Sequence, residues 1–200
     1  IAEIPGETDE IVLIGGHLDS WDLGTGAIDD GAGIGITVGA AKLILDLNKT
    51  PRRTIRIVMF GSEEVGLIGA KAYAKKYRDR LDKHIVGAES DFGAGKIWKF
   101  DTNFAQEKLF LAEAMHKVLE PLGIGRGDNN ASGGPDIGPL RELGVPAVTL
   151  KQNGWDYFDY HHTADDTLDK IDKADIAQNV AAYAAFVWMA ANIDGHFRKD

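Results

Sequence analysis

The sequence contains no cysteine. Disulfides, thiolate metal sites and a cysteine nucleophile are therefore excluded, and any bound metal must take its ligands from His, Asp and Glu. Such donors suit Zn, Mn, Co or Mg rather than Cu(I) or iron–sulfur clusters. Positive charge is scarce too: 22 Lys and Arg stand against 31 Asp and Glu, a formal net charge of −9. The basic residues are scattered, which argues against a nucleic-acid partner. Long apolar runs are missing. The most apolar stretch, "VAAYAAFVWMAANI" from Val180 to Ile193, is too short and alanine-rich for a membrane span and reads as a buried helix. There is no G-x-S-x-G nucleophile elbow and no Walker loop, and "GAGIG" before Ile34 lacks the preceding strand of a dinucleotide fingerprint. No secretory signal is visible, and the chain opens on Ile1 without an initiator Met, so it is expected to be a piece of a longer protein.

What is present suits one globular domain with a proper core: 200 residues, 44% of them hydrophobic and 26% charged. Ile1–Ile4 and Ile11–Ile14 are β-type runs around "PGETDE" and read as a hairpin. Helical spacing predicts helices over 32–47, 67–81, 104–119 and 171–193, with a short one over 137–143. Strands are predicted over 54–60, 84–88 and 145–150, the first apolar enough to be buried on both faces. Alternating helices and short apolar strands define an α/β fold, a three-layer α/β/α sandwich around a mixed, mostly parallel sheet. Ligands in such folds gather at the carboxyl ends of the strands, and the polar clusters of this chain follow its strands.

Five clusters carry candidate metal chemistry: "GGHLDS", "GAIDDGAG", "GSEEVG", "ESDFG" and "YHHTADDT". In the first, Asp19 shares a strand face with His17 and can accept from its ring N–H, fixing the tautomer for ligation; a plain surface pair is the alternative. Glu63 and Glu64 repel each other at a strand end unless a cation is near. One can bind metal while the other acts as a base toward water; the alternative is an acid-rich helix start. Asp91 or Glu89 can reach a metal. Adjacent histidines point differently, so at most one of His161 and His162 is a ligand, and Asp165 and Asp166 are expected to cap the turn before the last helix. His84, His116 and His196 lack acidic company and read as solvated or core histidines. Together the clusters supply what a two-metal site needs: two histidines, several carboxylates and one to share.

In order and spacing, these five segments resemble the co-catalytic zinc aminopeptidases, the leucyl aminopeptidase and glutamate carboxypeptidase II type. "GGHLDSWD" and the second Trp-Asp in "GWDYFDYHH" place the resemblance nearest the carboxypeptidase Q branch. The resemblance covers almost the whole chain and implies a zinc exopeptidase that cleaves small peptides or dipeptides. Two Zn2+ would be bound, with Co2+ or Mn2+ as substitutes. It implies His17, Asp29, Glu64, Asp91 and His162 as ligands, with Asp29 bridging, Asp19 orienting His17, Glu63 as general base and acid, and Asp136 near the substrate. His161 would support the site from behind the ligands. Asp30 would face away from the metals, as a helix-start residue or as a support behind the ligands. Residues 1–200 would be the catalytic domain, without the preceding segment and protease-associated domain of relatives. A secreted or periplasmic location and a homodimer fit the resemblance. So do two rival functions on the same fold: a single-zinc, glutaminyl-cyclase-like acyltransferase, and an inactive binding module. An amidohydrolase of the succinyl-diaminopimelate type fits less well, because its bridging aspartate lies farther from the first histidine.

Overall fold

In the computed structural model, which describes residues 1–198, seven strands form one sheet: β1 (Ala2–Ile4), β2 (Thr8–His17), β3 (Arg53–Phe60), β4 (His84–Glu89), β5 (Ile97–Asn103), β6 (Gly125–Arg126) and β7 (Ala147–Gln152). Their order is β1-β3-β2-β4-β7-β5-β6. β3, β2, β4 and β7 run parallel, while β1 and the β5–β6 pair run against their neighbours. The helices are α1 (Ala32–Asp46), α2 (Ile68–Lys76), α3 (Leu109–Leu119), α4 (Gly138–Arg141), α5 (Tyr157–Tyr160) and α6 (Lys173–Asn192). The α/β sandwich with a mixed, mostly parallel sheet is the fold expected from the sequence.

Side-chain alternation on β2 builds both halves of the core. Val12 and Ile14 face a cluster that contains α1, α3 and α6 residues such as Ile36, Met115 and Phe186. Ile11 and Leu13 face the other way, toward Tyr73 of α2 and Leu140 of α4. A strand covered on both sides reads as a continuous apolar run, as "IVLI" does. Arg53, buried at the start of β3, donates to the carbonyls of Ala190 and Ile193 at 2.8 Å and pairs with Glu10 at 2.8 Å. It thereby satisfies carbonyls that the end of α6 leaves open.

Some boundaries differ from expectation. Ile1–Ile4 and Ile11–Ile14 do not form a hairpin: β1 pairs antiparallel with β3. β2 already has β3 on one edge and β4 on the other, so it has no free edge to offer. β5 was not anticipated, because "IWKFDTN" mixes apolar and charged residues. α2 stops at Lys76 and the chain continues as a 3-10 turn, Arg78–Lys83. α3 begins at Leu109, after a 3-10 turn, rather than at residue 104.

Candidate metal centre

The carboxyl ends of β2, β3, β4 and β7 lie side by side, and each runs into a loop that carries acid or histidine residues. β2 ends on His17. The wide turn Ala27–Gly31 behind it carries Asp29 and Asp30. The loop after β3 brings Glu63 and Glu64, β4 runs out into Asp91, and the loop after β7 returns with His161 and His162.

Asp29 sits at the middle. One of its oxygens lies 3.1 Å from His17 Nε2, and the same ring nitrogen lies 3.4 Å from Asp91 Oδ1. The other oxygen faces His162 Nε2 at 3.2 Å and His161 Nε2 at 3.3 Å. His162 Nε2 is also 3.0 Å from Glu64 Oε2. The potential ligand atoms form three groups: His17, Asp29 and Asp91; Asp29, His161 and His162; His17, Glu63 and Glu64. These imidazole nitrogens and carboxylate oxygens are the donor chemistry that zinc takes. Asp29 and His17 are buried, and three acids, Asp29, Asp30 and Asp91, act on His17. A divalent cation would relieve the crowding of acids, so the residues fit one.

The surrounding hydrogen bonds hold the groups in place. The His17 ring Nδ1 lies 2.8 Å from the Asp19 carbonyl oxygen, with the Asp19 carboxylate farther away at 3.8 Å. This corrects the pairing expected for Asp19. The backbone turns its carbonyl to the ring, which leaves the carboxylate free to accept from the peptide N–H groups of Glu63 at 3.0 Å and Glu64 at 3.2 Å. Asp30 accepts from His17 N at 2.9 Å and from Gly33 N at 3.1 Å, fixing the end of β2 and the first turn of α1. Asp166 does not cap a turn. It is buried and accepts from Ile28 N at 2.6 Å and Asp29 N at 3.2 Å, so it braces the Asp29 loop from 137 positions away. The "DD" doublet was the visible signal for this residue, but its partner is remote in sequence. Trp21 was also missed: its ring N–H donates to Glu64 Oε2 at 2.8 Å.

Burial works against a charged His17, but the hydrogen bonds to Asp29 and Asp91 outweigh it and push the ring up to about 12. Burial, with Asp91 adding to it, pushes Glu63 up to about 7. Burial and then Asp29 raise Glu64. Asp136 is completely buried, and burial raises it to about 6. Its peptide N–H donates to Glu89 Oε2 at 2.7 Å. Glu89 therefore turns toward Asp136, while Asp91 faces His17. His161 stacks on His162 with ring centroids 3.5 Å apart. Both rings reach Asp29, although adjacent histidines were expected to point differently.

The profile of peptidase family M28 matches residues 1–187. Carboxypeptidase Q of Rattus norvegicus is 33% identical over 196 residues, covering 97% of this chain and 41% of the relative. The chain thus spans about two fifths of the length of the curated relatives it matches. The crystal structure of a peptidase M28 precursor from Shewanella amazonensis is 56% identical and superposes with a TM-score of 0.96, over 99% of this chain and 45% of that one. A zinc aminopeptidase from Bacillus subtilis, 22% identical, shares the fold with a TM-score of 0.71 over 93% of this chain and 47% of its own.

Proposed function

The chain belongs to peptidase family M28, and from that premise we propose that it is a metal-dependent exopeptidase acting on small peptides or dipeptides. The observation that carries this reading is the placement of Asp29, with one carboxylate oxygen toward His17 and the other toward His161 and His162. A carboxylate held between two histidine groups suits a shared ligand.

In this reading His17, Asp29 and Asp91 hold one zinc ion, and Asp29, Glu64 and His162 hold a second. When bound, the ions supply Lewis acidity toward the scissile carbonyl and lower the pKa of the attacking water. Glu63 accepts a proton from that water and returns it to the leaving amine nitrogen. The geometry supports the role, because a Glu63 carboxylate oxygen lies within 4.8 Å of potential ligand atoms of both His17 and Glu64. Asp19 keeps the Glu63–Glu64 turn in register through the two peptide N–H groups it accepts. Asp30 and Asp166 do the same for the Asp29 turn.

A panel of aminoacyl-anilides and dipeptides, assayed with and without chelator, tests the proposal. Hydrolysis of at least one member, abolished by chelator and restored by zinc, is expected. No chelator-sensitive hydrolysis anywhere in the panel contradicts it.

A further inference from the structure

The two ligand groups are not equally sheltered. The side chains of His17, Asp29 and Asp91 are no more than 8% exposed, whereas that of His162 is 35% exposed. An ion held by Asp29, Glu64 and His162 would therefore sit on the solvent side. His162 also takes φ +60°, a left-handed conformation that is disfavoured for a residue with a Cβ and persists only where contacts hold it. Its Nε2 faces both oxygens of Glu64, at 3.2 Å from Oε1 and 3.0 Å from Oε2.

Trp21 touches both of these residues. Its ring N–H donates to Glu64 Oε2 at 2.8 Å, and its ring lies 5.3 Å from that of His162, centroid to centroid, at an angle of 41°. Burial does not explain this placement, because Trp21 is 49% exposed and belongs to neither half of the core. The loop that carries it is tied down at both ends. Asp19 accepts from the Glu63 and Glu64 peptide N–H groups, and Thr25 N donates to the Asp166 carbonyl at 2.8 Å. A carboxylate can accept the indole N–H and still offer a metal its remaining lone pairs. We propose that Trp21 is a positioning residue for the second ion alone: its N–H fixes the Glu64 carboxylate and its ring backs His162, while the buried first site does not depend on it. The inference rests on the two-ion reading.

The test is calorimetric titration of the metal-free protein with Zn2+, for wild type, Trp21→Phe and Trp155→Phe. Trp155 is exposed and controls for the loss of a surface indole. Wild type should bind zinc in two steps. Asp91→Asn and Glu64→Gln assign them, since each takes a ligand from one ion. Trp21→Phe should weaken the Glu64 step at least ~10-fold and leave the Asp91 step within about two-fold of wild type, and Trp155→Phe should leave both. The visible spectrum of Co2+ bound in the Glu64 step, which reports ligand geometry, should change in Trp21→Phe only. Weakening of the Asp91 step alone overturns the proposal. So does equal weakening of both steps with a lower melting temperature of the metal-free variant, the mark of a merely structural role. A single zinc step in wild type contradicts the two-ion reading and takes the proposal with it. Two steps in wild type with both unchanged in Trp21→Phe overturn the proposal alone.

Discussion

Asp29 turns its two carboxylate oxygens toward histidines, whereas the neighbouring Asp30 turns back onto the backbone of His17 and Gly33. The substitutions Asp29→Asn and Asp30→Asn should therefore fail in different ways. Asp29→Asn removes a charge from between the two histidine groups, and zinc retained after dialysis should fall at least ten-fold. Asp30→Asn should keep its zinc but lose roughly 1–3 kcal/mol of stability in urea, because an amide NH2 then faces a peptide N–H. Equal zinc loss in both would refute the division of work. The difference between these two aspartates was legible in part. The resemblance carried by "GAIDDGAG" singled out Asp29 and left Asp30 as a helix-start residue or a support behind the ligands. That Asp30 also grips His17, or that Asp166 grips Asp29, depends on contacts between distant segments, which residue spacing does not encode. Asp19 shows the same limit: spacing brought it to His17, but not which of its oxygens faces the ring.

At the scale of elements, the centre depends on how closely the start of α1 packs against the end of β4. Gly33, in the first turn of α1, has no room for a side chain: a Cβ there would overlap the Ser90 carbonyl oxygen and the Asp30 carboxylate. Gly33→Ala should cost about 1–3 kcal/mol or more, since the crowding falls on backbone that cannot yield. It should also weaken zinc retention, since yielding at the Ser90 carbonyl moves the adjacent Asp91 away from His17. A thermal melt and zinc content measured on the same preparation check both, and an unchanged melt contradicts the close-packing account. The parallel strands were readable because burial on both faces leaves an uninterrupted apolar run. β5 was not, because its charged residues hide the pattern: Asp101 is buried but engages Lys99 and Lys151 at 3.5 and 2.9 Å. The β1 pairing was misjudged because a turn signal between two runs says nothing about which edges the rest of the sheet leaves free.

Across the whole molecule, one buried histidine couples folding to pH from the face opposite α6. Arg56 donates to the Tyr73 hydroxyl at 2.7 Å, which frees that hydroxyl to donate to His84 Nε2 at 2.7 Å. His84 Nδ1 then donates to the Arg80 carbonyl at 3.0 Å. The network needs a neutral ring. Burial, aided by Arg56, lowers His84 from 6.5 to about 4. Between those values the unfolded chain binds a proton that the folded chain refuses, so stability falls as pH drops through the window and levels off below it. The loss is on the order of 3 kcal/mol. Crowded acids such as Glu63 and Asp136, with raised values, act with the opposite sign, so the comparison must be with His84→Gln. Urea unfolding at pH 7 and pH 5 should show a larger acid loss in wild type than in that variant. Equal losses would mean that His84 does not carry the effect.

The central claim is that a carboxylate among the candidate ligands moves the proton instead of holding the metal, and Glu63→Gln addresses it most directly. The glutamine keeps the shape of the side chain and removes only its basicity. Zinc content should match wild type while turnover of the best substrate in the panel falls at least ~100-fold. Turnover near the wild-type rate, or loss of zinc along with activity, would contradict the assignment of Glu63 as the base.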